Sequence, residues 1–217
     1  MNQFFDYNNK VFRILGGFAD CLFLGALWIV TSIPLFTAGA ATSAVYHTVN
    51  KCIVNGQGYV WKEYGAAFRQ NFKQSTAAWL LWLFLAAFLA ADIFIMRQYL
   101  AQGSQLGAMY YFFLVLAAVA LAWEFYLFAY LARFEGTVRE SMKKTLFMML
   151  ANLGWSALLV SIFAVCLYLC NDMQWLIVLF PGGFALIKNR ILEKVFRKYR
   201  TPEDLKRELE MTRECLN

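Results

Sequence analysis

The sequence predicts an all-α, polytopic membrane protein with six transmembrane helices, five being the alternative count, accompanied by cytoplasmic amphipathic helices. Composition points there first: the 217 residues are 61% hydrophobic and 16% charged, against about 45–50% and about 25% in soluble domains. So few charges cannot cover that much apolar surface in water, so lipid is the solvent for much of it. Second, several apolar runs approach the roughly 20 residues that a bilayer core of about 30 Å requires of a helix. Third, the segments between these runs alternate in charge, and the formal net charge of +6 flanks the runs as the positive-inside rule demands.

The expected crossings are about 17–33, 38–54, 75–96, 106–132, 145–170 and 173–190, all in a single transmembrane domain over 1–200. The first two depend on SIPLFTAGAATSAVYH (Ser32 to His47), inside a stretch without Lys, Arg, Asp or Glu from Cys21 to Asn50. Proline removes a backbone donor and glycine permits left-handed angles, so Pro34 and Gly39 are read as the turn of a helix hairpin. The hydroxyls of Thr31, Ser32 and Thr37 can satisfy the backbone groups freed there. With this turn every Lys and Arg except Arg97 falls on the cytoplasmic side, both termini included. Without it, the five-crossing count puts Lys10 and Arg13 outside as well. A single kinked or partly re-entrant first segment is the other way to read the stretch. Ala40 to Ala44 then begins the second helix with small residues that let neighbouring backbones approach closely.

Lys10 and Arg13 before an apolar run, with Ala38-Gly39-Ala40 after it, have the outline of a signal peptide. The chain stays apolar beyond the triplet, so an uncleaved signal-anchor helix is expected. The third, fourth and fifth crossings follow from the runs Gln74 to Ile95, Leu106 to Ala132 and Thr145 to Asn171. The sixth comes from the shorter run Met173 to Ile187.

FRQNFKQST (Phe68 to Thr76) recurs in outline as VRESMKKTL (Val138 to Leu146). Phe68 with Phe72, and Val138 with Met142, are spaced i and i+4 and would form a lipid-facing stripe beside a cationic face. The membrane-surface basic residues are accordingly Arg69, Lys73, Arg139, Lys143 and Lys144. KNRILEKVFRKYR (Lys188 to Arg200) adds Arg190, Lys194, Arg197 and Lys198. Anionic lipids of the bilayer are their expected partner. Thr201-Pro202-Glu203-Asp204 resembles a helix start, so 201–217 is expected to be a cytoplasmic C-terminal helix.

These residues also carry a resemblance. Asn9-Lys10-Val11-Phe12-Arg13, then Ala19-Asp20, then LWIVTSIPLFTAGAATSAVY, then GYVWKEYGAAFRQNFKQST resemble the YesL family, a bacterial family built on a domain of unknown function (number 624). The likeness covers most of the chain and is strongest from Phe12 to Trp82. It implies a multi-spanning protein of the bacterial plasma membrane, with members typically encoded beside carbohydrate-uptake ABC transporters and glycan-degrading enzymes. Sugar ABC transporter subunits are thus the implied partners. The resemblance supplies no catalytic residues.

Ionisable groups at membrane depth are expensive and default to functional candidates. Glu124 in AWEFY and His47, the chain's one histidine, sit at comparable depth in different crossings. A contact between them would either relay a proton or bind a polar solute, or simply fix how two helices pack. Asp20 and Arg13 share one helix face near the inner surface, and Asp92 lies near the outer boundary. The five cysteines form no C-x-x-C pair, and Cys166 and Cys170 read as small apolar filling. Gly182-Gly183 after Pro181 reads as a close helix contact or kink rather than a phosphate loop. No nucleophile–base pair, metal-ligand spacing or nucleic-acid motif appears, so no enzyme activity, cofactor or nucleic-acid partner is expected. Self-association stays open. The leading expectation is an accessory or assembly factor for carbohydrate uptake; the alternative is a small solute transporter or channel.

Overall fold

The computed structural model describes residues 10–134 and 136–199; the expected C-terminal helix over 201–217 and the Arg13 side chain lie outside the described atoms. Seven α-helices carry the chain: α1 (Lys10–Thr31), α2 (Ala38–Thr48), α3 (Val60–Ala101), α4 (Met109–Leu131), α5 (Val138–Ala151), α6 (Leu153–Asp172) and α7 (Leu176–Tyr199), with no strand among the described residues.

α1 ends where Pro34 forces extended backbone (φ −75°, ψ 110°) and a short 3₁₀ turn, Leu35–Thr37, reverses the chain. The Thr37 hydroxyl lies 2.5 Å from the Thr31 carbonyl and 2.6 Å from that of Pro34, and Thr31 bonds back to Leu27 at 2.8 Å. Thr31 and Thr37 thus satisfy carbonyls freed by the break, whereas the Ser32 hydroxyl is buried without a partner. Gly39, expected in the turn, lies inside the first turn of α2. Its job is close approach: a Cβ there would overlap that of Trp79 on α3.

α2 is buried along almost its whole length. It is 11 residues long and continues into a π-type turn, Val49–Val54. α2 packs antiparallel to the first half of α3, from Gly39 against Ser75 and Trp79 to Lys51 paired with Glu63 at 2.8 Å. The small side chains Ala40, Ala41, Ser43 and Ala44 have no accessible surface, as close backbone contact requires.

The 42 residues of α3 make a rod of about 63 Å. Its second half pairs with α4 through the Trp82 indole on the Ala120 carbonyl (3.0 Å) and Trp79 edge-on to Phe128. Leu80, Leu81, Phe84 and Phe88 point outward and exposed, as lipid-facing residues do. The expected crossing over 145–170 is divided. Asn152 leaves helical geometry (φ −130°, ψ 47°) and gives its amide to the Met148 carbonyl and the Tyr199 hydroxyl. α5 therefore packs across α4, and the apolar run begins afresh at Leu153. In α7, a Cβ on Gly182 would overlap the Cys21 carbonyl, and one on Gly25 the Val178 carbonyl. Of the glycine pair, Gly182 makes the close contact with α1, whereas nothing lies within 4 Å of a Cβ on Gly183. Phe125, Phe163, Phe180 and Phe184 interlock at the centre, with rings 5.1–5.6 Å apart.

Among the described residues, three helical stretches have the length and composition to cross a membrane, Val60–Ala101, Gln105–Leu131 and Leu153–Asp172, with Gly16–Thr31 a shorter apolar helix. The expected six are not reached as spanning-length helices. The repeated motif also differs from expectation. Val138 and Met142 pack on Ala78, Leu127, Phe128 and Leu131, while Phe68 packs against the cluster that holds Ala44, Val45, Tyr64 and Ala67. Val138, Met142 and Phe68 thus face protein, and Phe72 has its ring edge-on to Phe68.

Candidate functional site

Three elements converge on one buried polar seam. α7 carries its buried residues at Phe184, Ala185, Lys188, Asn189, Leu192, Val195 and Phe196, a helical stripe in which Lys188 occupies a core position. Only 3% of Lys188 is accessible. Its ammonium lies 5.4 Å from the centre of the Tyr46 ring and 5.9 Å from that of Phe125, within cation–π range. Glu124, one residue before Phe125 on α4, is its electrostatic partner.

Next along the seam, the Tyr46 hydroxyl of α2 faces Asn189 and feels the charge of Arg133. Tyr46 and Asn189 approach without completing a hydrogen bond of full geometry. Arg133, just past the end of α4, forms an ion pair with Glu193 one turn beyond Asn189. His47 borders this seam, with Nδ1 3.1 Å from the Ala132 carbonyl.

No hydrogen bond or ion pair joins Glu124 to His47: the His47 Nδ1 lies against the Ala132 carbonyl, and the charge that Glu124 feels is that of Lys188. Lys188 lies in the basic segment Lys188 to Arg200, and the i, i+4 stripe Phe184–Lys188–Leu192–Phe196 marks it as inward-facing. The nine residues read as membrane-surface cations, Arg69, Lys73, Arg139, Lys143, Lys144, Arg190, Lys194, Arg197 and Lys198, are all exposed. Lys188 and Arg133 differ from these nine in lying inside the fold.

Tyr64 joins α3 to the end of α1, its hydroxyl 2.6 Å from that of Thr31. A cleft of about 390 Å³ is lined by Asp20, Phe23, Cys52, Tyr59 and Trp61, and a second of about 390 Å³ lies between Gly17, Cys21, Leu186 and Arg190. Neither contains the seam. Among the described residues no three His, Cys, Asp or Glu side chains gather as a metal site would require.

Helices of spanning length, outward apolar side chains and charges compensated in the interior define a helical membrane protein. Residues 22–93, about a third of the chain, match the family model described as Protein of unknown function, DUF624. This is the YesL family, and the match supports the resemblance carried by the sequence. No curated protein and no solved structure matches the chain.

Proposed function

We propose that this chain is a non-enzymatic accessory or assembly protein of the bacterial plasma membrane that supports carbohydrate uptake, multi-pass, with both termini cytoplasmic. The observation that carries this reading is the division of cations. Arg133 is paired with Glu193, and Lys188 lies buried within the field of Glu124. Arg69 and Lys73 of α3, Arg139, Lys143 and Lys144 of α5 and Arg190, Lys194, Arg197 and Lys198 of α7 stand open. An open cationic face suits an acidic partner surface or anionic headgroups. The link to sugar ABC transporter subunits comes from the resemblance. The test is co-purification in mild detergent from cells growing on the inducing glycan. Recovery of transporter subunits supports the reading, and their absence from a stable preparation counts against it.

A second reading is a solute transporter, favoured by one observation, the buried Lys188 ammonium of α7 over the Tyr46 and Phe125 rings, within the field of Glu124 on α4. Buried charges between helices recur on solute pathways. Protein in liposomes would then show flux that Glu124→Gln abolishes. Unchanged flux in that variant removes Glu124 from any transport mechanism.

A further inference from the structure

The α1–α2 hairpin is fastened to α3 at two heights, the Thr31 end of α1 on the Tyr64 hydroxyl (2.6 Å) and the tip on Trp79. The Trp79 indole donates to the Leu35 carbonyl at the hairpin tip (2.8 Å), and Gly39 lies against Trp79 and 2.9 Å, measured from its ideal Cβ, from the Ser75 carbonyl oxygen. At 1.5 Å per residue, Trp79 stands about 9 Å past Lys73 and about 27 Å short of Arg97, the charges flanking the apolar half of α3. A core of about 30 Å therefore places the tip between the Lys73 boundary and the middle of the bilayer. From there α2 runs back along α3 to Lys51 and Glu63, about 15 Å before Lys73.

The tip is chemically suited to lipid. Its carbonyls at Thr31, Pro34 and Leu35 are all taken by Thr37 or Trp79, as irregular backbone at membrane depth requires. Its outward side chains are apolar: Ile33 is 77% exposed, Leu35 64% and Phe36 50%. Leu80, Leu81 and Phe84, which follow Trp79 along α3, are exposed as well.

We propose that α1 and α2 form a re-entrant hairpin that enters and leaves the bilayer on the side of the Asn55–Tyr59 loop, its tip seated among acyl chains. α3, α4 and α6, the helices of spanning length, then make crossings, and α7 returns the chain towards the side of its basic end. The charge distribution is the same as with two crossings, since the hairpin returns Lys10 and Lys51 to one side either way. The proposal is independent of the accessory role, because its tests read only the position of the tip.

In a variant with all five cysteines replaced, single cysteines at Phe36, Gln102 and Asn55 are challenged with a membrane-impermeant maleimide in intact and then permeabilised cells. Gln102 and Asn55 should react from opposite sides, and Phe36 from neither. Labelling of Phe36 from the Gln102 side overturns the proposal by establishing two crossings. Labelling from the Asn55 side overturns the lipid seat, and labelling of Gln102 and Asn55 from the same side overturns the frame itself. A second measurement keeps the native cysteines and places p-benzoylphenylalanine at Phe36 or Phe84. Irradiation should yield lipid adducts at both. Lipid adducts at Phe84 with only protein crosslinks at Phe36 would overturn the proposal in favour of a protein partner at the tip.

Discussion

The ammonium of Lys188 lies 5.4 Å from the centre of the Tyr46 ring, which joins a helix from the last quarter of the chain to the short buried helix near its start. The seam around this contact holds α2, α4 and α7 in register through charges and rings that have little water to return to.

Removing one member of the seam should be far worse than removing two. Breaking a buried charge pair costs about 3–5 kcal/mol because the survivor is left uncompensated. Lys188→Met should therefore lower the unfolding temperature in detergent sharply, and Lys188→Met with Glu124→Gln should recover much of the loss. Additive losses in that double-mutant cycle would show that the two residues are not coupled.

By contrast, the Lys51–Glu63 bridge is about a third and a fifth exposed on its two sides, where ion pairs contribute about 0–1 kcal/mol. Lys51→Ala should move the same unfolding temperature only slightly. A loss equal to that of Lys188→Met would contradict this ranking.

Glycine positions should split by what surrounds them. A methyl at Gly25 or Gly182 meets backbone of the facing helix, whereas nothing lies within 4 Å of one at Gly65. Gly25→Ala and Gly182→Ala should each destabilise by about 1–3 kcal/mol, the usual cost of overpacking. Gly65→Ala should stabilise by about 0.5–1 kcal/mol through helix propensity. Thermal unfolding of the three variants side by side tests the sign as well as the size.

Thr37→Val should cost about 1–3 kcal/mol, because the Thr31 and Pro34 carbonyls lose their shared donor. Thr37→Ser keeps the hydroxyl and should restore most of the stability. Equal behaviour of the two variants would mean that the side-chain volume, rather than the bonds, holds the turn.

Replacing Arg139, Lys143 and Lys144 on the open face of α5 by Gln should reduce retention of anionic lipid through purification. Each cation near a headgroup contributes about 1 kcal/mol. Mass spectrometry of bound lipid measures the loss. Unchanged retention would reserve these cations for another partner.

The sequence carried the helical membrane class, because composition and run length answer to the solvent alone. It also carried the break at Pro34, since a missing donor stops a helix wherever it sits, and the exposed cations, which follow from local charge. The partner of Glu124 was beyond it: Lys188 is 64 positions away, and its distance to Glu124 depends on how α4 and α7 cross. The number of crossings lay beyond it for a related reason. A hairpin that turns back within the bilayer and one that passes through return the same charges to the same side. Charge along the chain therefore leaves both counts standing, and the seating of Leu35 on Trp79 bears on the choice. Local chemistry determines where helices start, stop and meet lipid; depth and pairing come from packing between distant segments, which no window along the chain contains.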